Sequence, residues 1–166
     1  MTLNILKTIS KTQFYDIEFT VIIGIGNLNE KEISKFVLLM TKSRFMIKII
    51  RNSDIMAKHI SDADFVITGN GRTVFEIASL NIPMIVISVN QQENKHSFAK
   101  DSKGTLYIKK TNKFNEKLLI NSIDKMMNYN IRKNLSQNLK KYDLFQGITE
   151  IINLINQKYN DKLKQN

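Results

Sequence analysis

The chain has 166 residues, a length that fits one domain of ordinary size and excludes a large two-domain enzyme within it. Its composition, 42% hydrophobic and 24% charged with one proline and six glycines, excludes disorder and collagen-like structure, and the absence of cysteine excludes disulfides and cysteine zinc sites. The net charge of +10 favours an anionic partner such as a nucleic acid, a membrane surface or a phosphorylated ligand.

In chain order, short apolar runs alternate with amphipathic stretches. Helical patterns are expected near Leu3–Ser10, Glu30–Met40, Ser53–His59, Thr73–Leu80 and Gln92–Lys100. Between them lie five runs of four to six residues, mostly rich in Val and Ile: Phe19–Ile23, Phe45–Ile50, Asp64–Thr68, Met84–Ser88 and Thr105–Ile108. Such runs, bounded by turn residues, read as strands buried on both faces. Strands alternating with helices imply an α/β fold, a parallel sheet with right-handed crossovers. After Ile108 only helices are expected, near Asn115–Met127, Ile131–Tyr142 and Ile148–Lys158. The expected organisation is a single domain over residues 1–166, with an α/β core at 1–110 and C-terminal helices at 111–166.

Charge follows this division. Residues 1–100 carry 12 basic and 9 acidic side chains, a net of +3, and residues 101–166 carry 13 and 6, a net of +7. The excess is lysine-heavy, spread along helical faces and without interleaved aromatics, so it reads as a solvated surface rather than a specific nucleic-acid interface. Contact with a membrane surface remains compatible with it. No apolar run approaches the roughly 20 residues of a membrane span, and the N-terminus lacks a signal-peptide core. A cytoplasmic protein is expected. Two histidines, His59 and His96, are too few for a histidine-rich metal site, and neither a metal nor a cofactor is implied.

Open parallel sheets bind ligands at the carboxyl ends of their strands. Three loops should therefore share one edge: Gly24–Asn27, Thr68–Thr73 and Ser88–Gln92. In the second, Gly69 and Gly71 flank Asn70 between a buried strand and a helix, where positive φ and close approach to a ligand are available. Such a turn can cradle phosphate on the first amides of the helix, with Thr73 adding a hydroxyl and Arg72 a positive charge. Glu76, one turn on, could accept from a ribose diol. An ordinary strand-to-helix turn, with Thr73 as cap and Glu76 exposed, accounts for the same spacing. In the third loop Asn90 and Gln91 follow a buried strand, and Glu93 and His96 stand at i, i+3 spacing, a pair able to do acid–base work if they share a helix face. A partly exposed histidine beside a satisfied carboxylate is the plainer reading. For Gly24, Gly26 and Asn27 tight turning suffices, with ligand contact as the alternative.

The stretch from Ala63 to Ser88, with its Gly69-Asn-Gly-Arg-Thr73 turn and Glu76, resembles the nucleotide-binding signature in the C-terminal domain of GT-B nucleotide-sugar proteins. Within that group it is similar to the UDP-sugar hydrolases of pseudaminic acid biosynthesis and the SpsG spore-coat polysaccharide proteins, and more distantly to MurG-type glycosyltransferases. The resemblance runs from the first helix to Gly147. It implies a Rossmann-like sheet binding a UDP-sugar, with Gly69, Asn70, Gly71, Arg72 and Thr73 at the diphosphate, Glu76 at the ribose, and Asn90 and Gln91 at the sugar or phosphate. Two departures stand out. The family usually has Ala-Gly-Gly-Ser/Thr-Thr in this turn, so Asn70 replaces a glycine and Arg72 a small hydroxyl residue. The family's preceding strand and its N-terminal domain, which supplies the acceptor or water site, are also absent from this sequence. The implied partners are a nucleotide sugar and that domain, in cis or on another chain. The implied activity is glycosyl transfer or UDP-sugar hydrolysis in surface polysaccharide or nonulosonic acid biosynthesis, and the alternative is a non-catalytic nucleotide-binding or assembly module.

Overall fold

A computed structural model describes residues 1–14, 17–41 and 46–163. It opens with helix α1 (Thr2–Ile9), followed by β1 (Glu18–Ile23), α2 (Glu30–Thr41), β2 (Met46–Arg51), α3 (Met56–Ser61), β3 (Val66–Gly69), α4 (Thr73–Ser79) and β4 (Met84–Ile87). A 3-10 turn at Glu93–Lys95, α5 (Phe98–Asp101) and β5 (Thr105–Ile108) complete the α/β part. Three helices follow, α6 (Glu116–Met127), α7 (Tyr129–Leu139) and α8 (Gly147–Leu163). Each of the five expected strands is present, the fifth at its expected bounds and the others shifted by one or two residues at one or both ends; Phe45, the expected start of the second, lies outside the described residues.

All strand pairs are parallel, as alternating strands and crossover helices require. They form two ladders: β1 pairs with β2, and β3–β4–β5 pair in that order. The one expected sheet is thus divided, because among the described residues no backbone hydrogen bond joins β1 and β3. β4 lies at the centre of the second ladder and is buried along its whole length. Its side chains alternate between two apolar clusters. Ile85 and Ile87 join Ile5, Leu6 and Ile9 of α1, Ile33 and Val37 of α2, and Leu119 and Ile123 of α6. Met84 and Val86 join Ile60 of α3, Val74, Ile77 and Ala78 of α4, and Leu139 of α7. A continuous apolar run buried on both faces therefore needs helices on both sides of the sheet, and has them.

Strand burial is not uniform, and this corrects the expectation of five runs buried on both faces. β2 is half-buried or exposed throughout and β3 half-buried at all four positions, because each has a ladder partner on one side only. The expected helix over Gln92–Lys100 is also two pieces: His96 adopts an extended conformation (φ −72°, ψ 119°) between the 3-10 turn and α5. The helix expected from Ser53 starts only at Met56, after Ser53 Oγ has accepted the Ile55 N–H in a local turn.

Candidate functional site

The loops after β1, β3 and β4 lie at the carboxyl ends of their strands, and the turn after β3 is the best determined. Asn70 is 2% exposed. Its side-chain amide donates to the carbonyls of Glu93 (2.8 Å) and His96 (3.3 Å), and lies 3.5 Å from Ser88 Oγ. Its backbone N–H donates to Glu93 Oε2 (3.1 Å), and its carbonyl lies 2.6 Å from His96 Nδ1. Glu93 Oε2 also accepts the Val89 N–H at 2.9 Å. One asparagine thus ties the turn after β3 to the loop after β4 through both main chain and side chain. A buried amide satisfied on several sides fixes geometry, since leaving any of its groups unpaired is costly.

This changes the reading of three residues. Glu93 and His96 do not share a helix face as an acid–base pair; the break at His96 aims both at Asn70, where they hold the turn. Asn70 does not use the left-handed region. Among described residues positive φ occurs at Gly26 (77°), Asn52, Asn81 and Lys103, so neither Gly69, Asn70 nor Gly71 takes the backbone freedom expected of them. The turn is shaped by the Asn70 bonds instead. A side chain added at Gly71 would meet nothing within 4 Å, and at Gly69 it would meet Glu93 Oε2, Met1 Cε and Val89 Cγ2 only at ordinary contact distance.

The amides of Gly71, Arg72 and Thr73 come next in the chain. The Val74 and Phe75 N–H groups bond back to the Gly71 and Arg72 carbonyls at 3.3 and 2.9 Å, whereas these three have no protein acceptor among the described residues. Arg72 occupies the N-cap position of α4 and makes no side-chain capping bond, and Thr73 is the first helical residue rather than the cap. Arg72 and Glu76 are exposed, one helical turn apart, with neither in an ion pair among the described residues.

In the loop after β4, Asn90 and Gln91 are exposed and shape the loop locally. Asn90 Oδ1 accepts the Glu93 N–H (2.8 Å), and Gln91 Oε1 accepts from Asn94 Nδ2 (2.8 Å). Asn94, which the sequence does not single out, accepts the Lys110 N–H (2.8 Å) and donates to the Lys110 carbonyl (3.1 Å), anchoring the loop beyond β5. Ser88 and Tyr107, 3.0 Å apart, extend the network under Asn70. The polar density of Asn90–His96 was the available signal for Asn94; nothing in the sequence marks Tyr107.

The loop after β1 turns at Gly26, with the Asn27 N–H donating to the Gly24 carbonyl (3.3 Å) and Asn27 Oδ1 accepting the Asn29 N–H (3.0 Å). Positive φ at Gly26 is the one place where a glycine of these loops is required by its backbone. Asn27 and Met1 line one shallow cavity of about 310 Å³, and Met1 also reaches Gly69, so the first and second loops meet at the start of α1. Among the described residues no three His, Asp or Glu side chains are grouped to hold a metal ion, and no helix is long and apolar enough to cross a membrane.

Residues 3–151 match the family described as glycosyltransferase family 28 C-terminal domain. In solved structures the fold is similar to that of Acinetobacter baumannii MurG, with a TM-score of 0.74 and 13% identity over 94% of this chain and 45% of that one. Over 80 residues the chain is 34% identical to the uncharacterized protein MJ1062 of Methanocaldococcus jannaschii, covering 48% of this chain and 16% of that protein. The chain thus spans less than half the length of each of these two proteins.

Proposed function

Because the chain belongs to the glycosyltransferase family 28 C-terminal domain family, we propose that it is the donor-binding half of a GT-B protein and holds a UDP-sugar at the turn between β3 and α4. One observation carries this reading: among the described residues the consecutive amides of Gly71, Arg72 and Thr73 lack protein acceptors, in a turn that carries the exposed Arg72 and that Asn70 holds in place. Unpaired backbone donors next to a positive charge suit a diphosphate, whose oxygens accept several hydrogen bonds at once. Gly69 and Gly71 leave the backbone open to it. Glu76, one turn on, accepts the ribose hydroxyls, and Asn90 and Gln91 approach the sugar from the neighbouring loop. Gly24, Gly26 and Asn27 form the far wall of this edge.

In glycosyl transfer the leaving group is the nucleotide diphosphate, and donors aimed at its oxygens stabilise the charge that grows as the anomeric bond breaks. The acceptor, water or a hydroxyl, comes from an opposing domain in cis or on a partner chain. A hydrolase of the pseudaminic acid or SpsG kind and a transferase of surface polysaccharide assembly differ only there. The engagement of Glu93 and His96 with Asn70 supports a binding role for this face, with the general base on the opposing side.

The test separates phosphate from ribose. By titration calorimetry, Arg72→Ala is expected to weaken UDP and inorganic diphosphate alike by about 1.5–3 kcal/mol, the range for a hydrogen bond to a charged group. Glu76→Ala is expected to weaken UDP and leave diphosphate nearly unchanged. Failure of UDP to bind the unaltered chain at millimolar concentration would leave the fold without this ligand.

A further inference from the structure

We infer that His96 is a positioning residue for the turn after β3: as its Nδ1–H tautomer it fixes the Asn70–Gly71 peptide so that the Gly71 N–H, and not the Asn70 carbonyl, faces the diphosphate. The inference rests on the reading of this turn as a diphosphate site, and adds the group that decides which way the turn's first donor points. The tautomer follows from the partner. The Asn70 carbonyl, 2.6 Å from His96 Nδ1, has no hydrogen to give, so Nδ1 carries the proton and donates. The main chain of His96 is engaged as well: its N–H donates to the Glu93 carbonyl at 3.1 Å, and its carbonyl accepts from the Asn70 side chain at 3.3 Å. Nε2 alone has no partner among the described residues, on an exposed ring. In the neutral ring it is a bare acceptor, a poor neighbour for phosphate oxygens.

Direction follows from peptide planarity. Across a trans peptide the C=O and the next N–H point opposite ways, and the Asn70–Gly71 bond is trans. With the Asn70 carbonyl turned to His96, the Gly71 N–H turns away from it, to the side where it meets no protein acceptor among the described residues. A hydrogen bond on the carbonyl also polarises the peptide and strengthens its N–H as a donor.

The opposite orientation is open to this chain. Rotating that peptide by half a turn carries Gly71 to positive φ, a region it does not occupy here and one that glycine tolerates. The Asn70 carbonyl would then meet the diphosphate oxygens, and the Gly71 N–H would face the His96 Nδ1–H, donor against donor. Other bonds of the network do not decide between the two. Glu93 Oε2 accepts the Asn70 N–H at 3.1 Å and so fixes the preceding peptide, and the Asn70 side chain reaches the carbonyls of Glu93 and His96. Among the described residues only the His96 ring bonds the Asn70–Gly71 peptide itself. The extended backbone at His96, which ends the 3-10 turn, is what brings its ring there.

The test joins a spectroscopic signature to a substitution series. Nitrogen-15 spectra of the ligand-free chain, read with the ring neutral and assigned by the signals lost in His96→Ala, are expected to show a protonated Nδ1 and a bare Nε2. Calorimetry with inorganic diphosphate then compares the unaltered chain with His96→Ala, His96→Asn and His96→Gln. Asparagine carries its amide nitrogen as many bonds from Cβ as Nδ1, and glutamine one bond further, at the place of Nε2. Alanine and glutamine are expected to weaken diphosphate roughly fivefold to tenfold, as loss of one hydrogen bond does, with asparagine within about twofold of the unaltered chain. Hydrogen exchange at Ile85 and Val86 in β4 should stay slow throughout, reporting a folded core. An Nε2–H tautomer overturns the inference, as does undiminished binding by His96→Ala. Restoration by glutamine and not asparagine overturns it in favour of direct ligand contact at Nε2. Equal losses in all three variants with faster exchange at Ile85 and Val86 overturn it in favour of a purely structural histidine. Failure of the unaltered chain to bind diphosphate is a different result, and overturns the diphosphate reading of the turn together with this inference.

Discussion

At Asn70 the buried side-chain amide has carbonyls of Glu93 and His96 as acceptors, contributed by a loop 23 to 26 residues away. Replacing it by alanine removes the side-chain half of the tie, leaving the His96 carbonyl without its Asn70 donor and the turn held to the loop only by the main-chain bonds of residue 70 to Glu93 Oε2 and His96 Nδ1. Asn70→Ala is expected to cost about 1–3 kcal/mol of stability, the penalty for leaving buried polar groups unpaired, read from urea unfolding at constant m-value. It should also weaken UDP, because the amides of Gly71–Thr73 lose their support. Arg72→Ala, at an exposed side chain without an ion pair, should leave stability within about 0.5 kcal/mol, so the two variants separate support from contact. The sequence marks Asn70 as a turn residue between two glycines, and local chemistry makes that reading reasonable. Its burial depends on Glu93 and His96 arriving from another loop, a tertiary event that no local spacing encodes.

Elements were legible where their pattern was local. The strand at Met84–Ile87 declares itself by an apolar run too short for a helix, and the N-terminus of α6 by Asn115, whose side chain accepts the Leu118 N–H at 2.9 Å. The break at His96 was not legible, because Glu93 and His96 leave helical spacing to bond Asn70. The contact between β5 and α7 was equally hidden. Gly104, just before β5, lies against buried Leu139: a Cβ there would overlap the Leu139 side chain at Cδ2 and Cγ and lie 3.3 Å from the Leu135 carbonyl. Gly104→Ala must displace the buried Leu139 side chain or shift α7 itself, and overpacking of this kind costs about 1–3 kcal/mol. Thermal unfolding of Gly104→Ala beside Gly147→Ala, where an added Cβ meets nothing within 4 Å, checks that the loss comes from crowding. Equal losses at both positions would assign the effect to glycine's backbone freedom instead.

Over the whole molecule, fold class was readable because alternating strands and helices admit few arrangements. The division of the sheet was not, since the runs of β1 and β3 look like interior strands whether or not a neighbour is present. The C-terminal charge is spread as the sequence indicates. Of the three ion pairs among described residues, Lys11–Glu116 and Arg132–Asp64 bring basic and acidic groups from distant segments together, and many lysines of residues 101–166 remain solvated. Binding to duplex DNA is therefore expected to be weak and to collapse between low and physiological salt, as release of counterions from non-specific contacts requires. Sequence-selective retention at physiological salt would show a built interface.

α8 differs from the other helices in burying no described residue. Ile151, Ile152, Leu154, Ile155 and Tyr159 are each more than half exposed, and among the described residues neither apolar cluster includes a side chain of this helix. α7, by contrast, buries Leu135 and Leu139 in the core. Stability in a domain follows the apolar area a segment removes from water, and α8 removes little. Ending the chain after Gly147 is therefore expected to leave the urea midpoint within the range of a neutral surface change, about 0.5 kcal/mol, with the slope slightly lower because less surface is exposed on unfolding. The same truncation should lower self-association at high concentration, since it removes an exposed apolar stripe of five large side chains. Sedimentation velocity of both forms over a concentration series provides the second readout. A loss of several kcal/mol on truncation would show that the helix packs on the domain in solution and that its apolar face is part of the core.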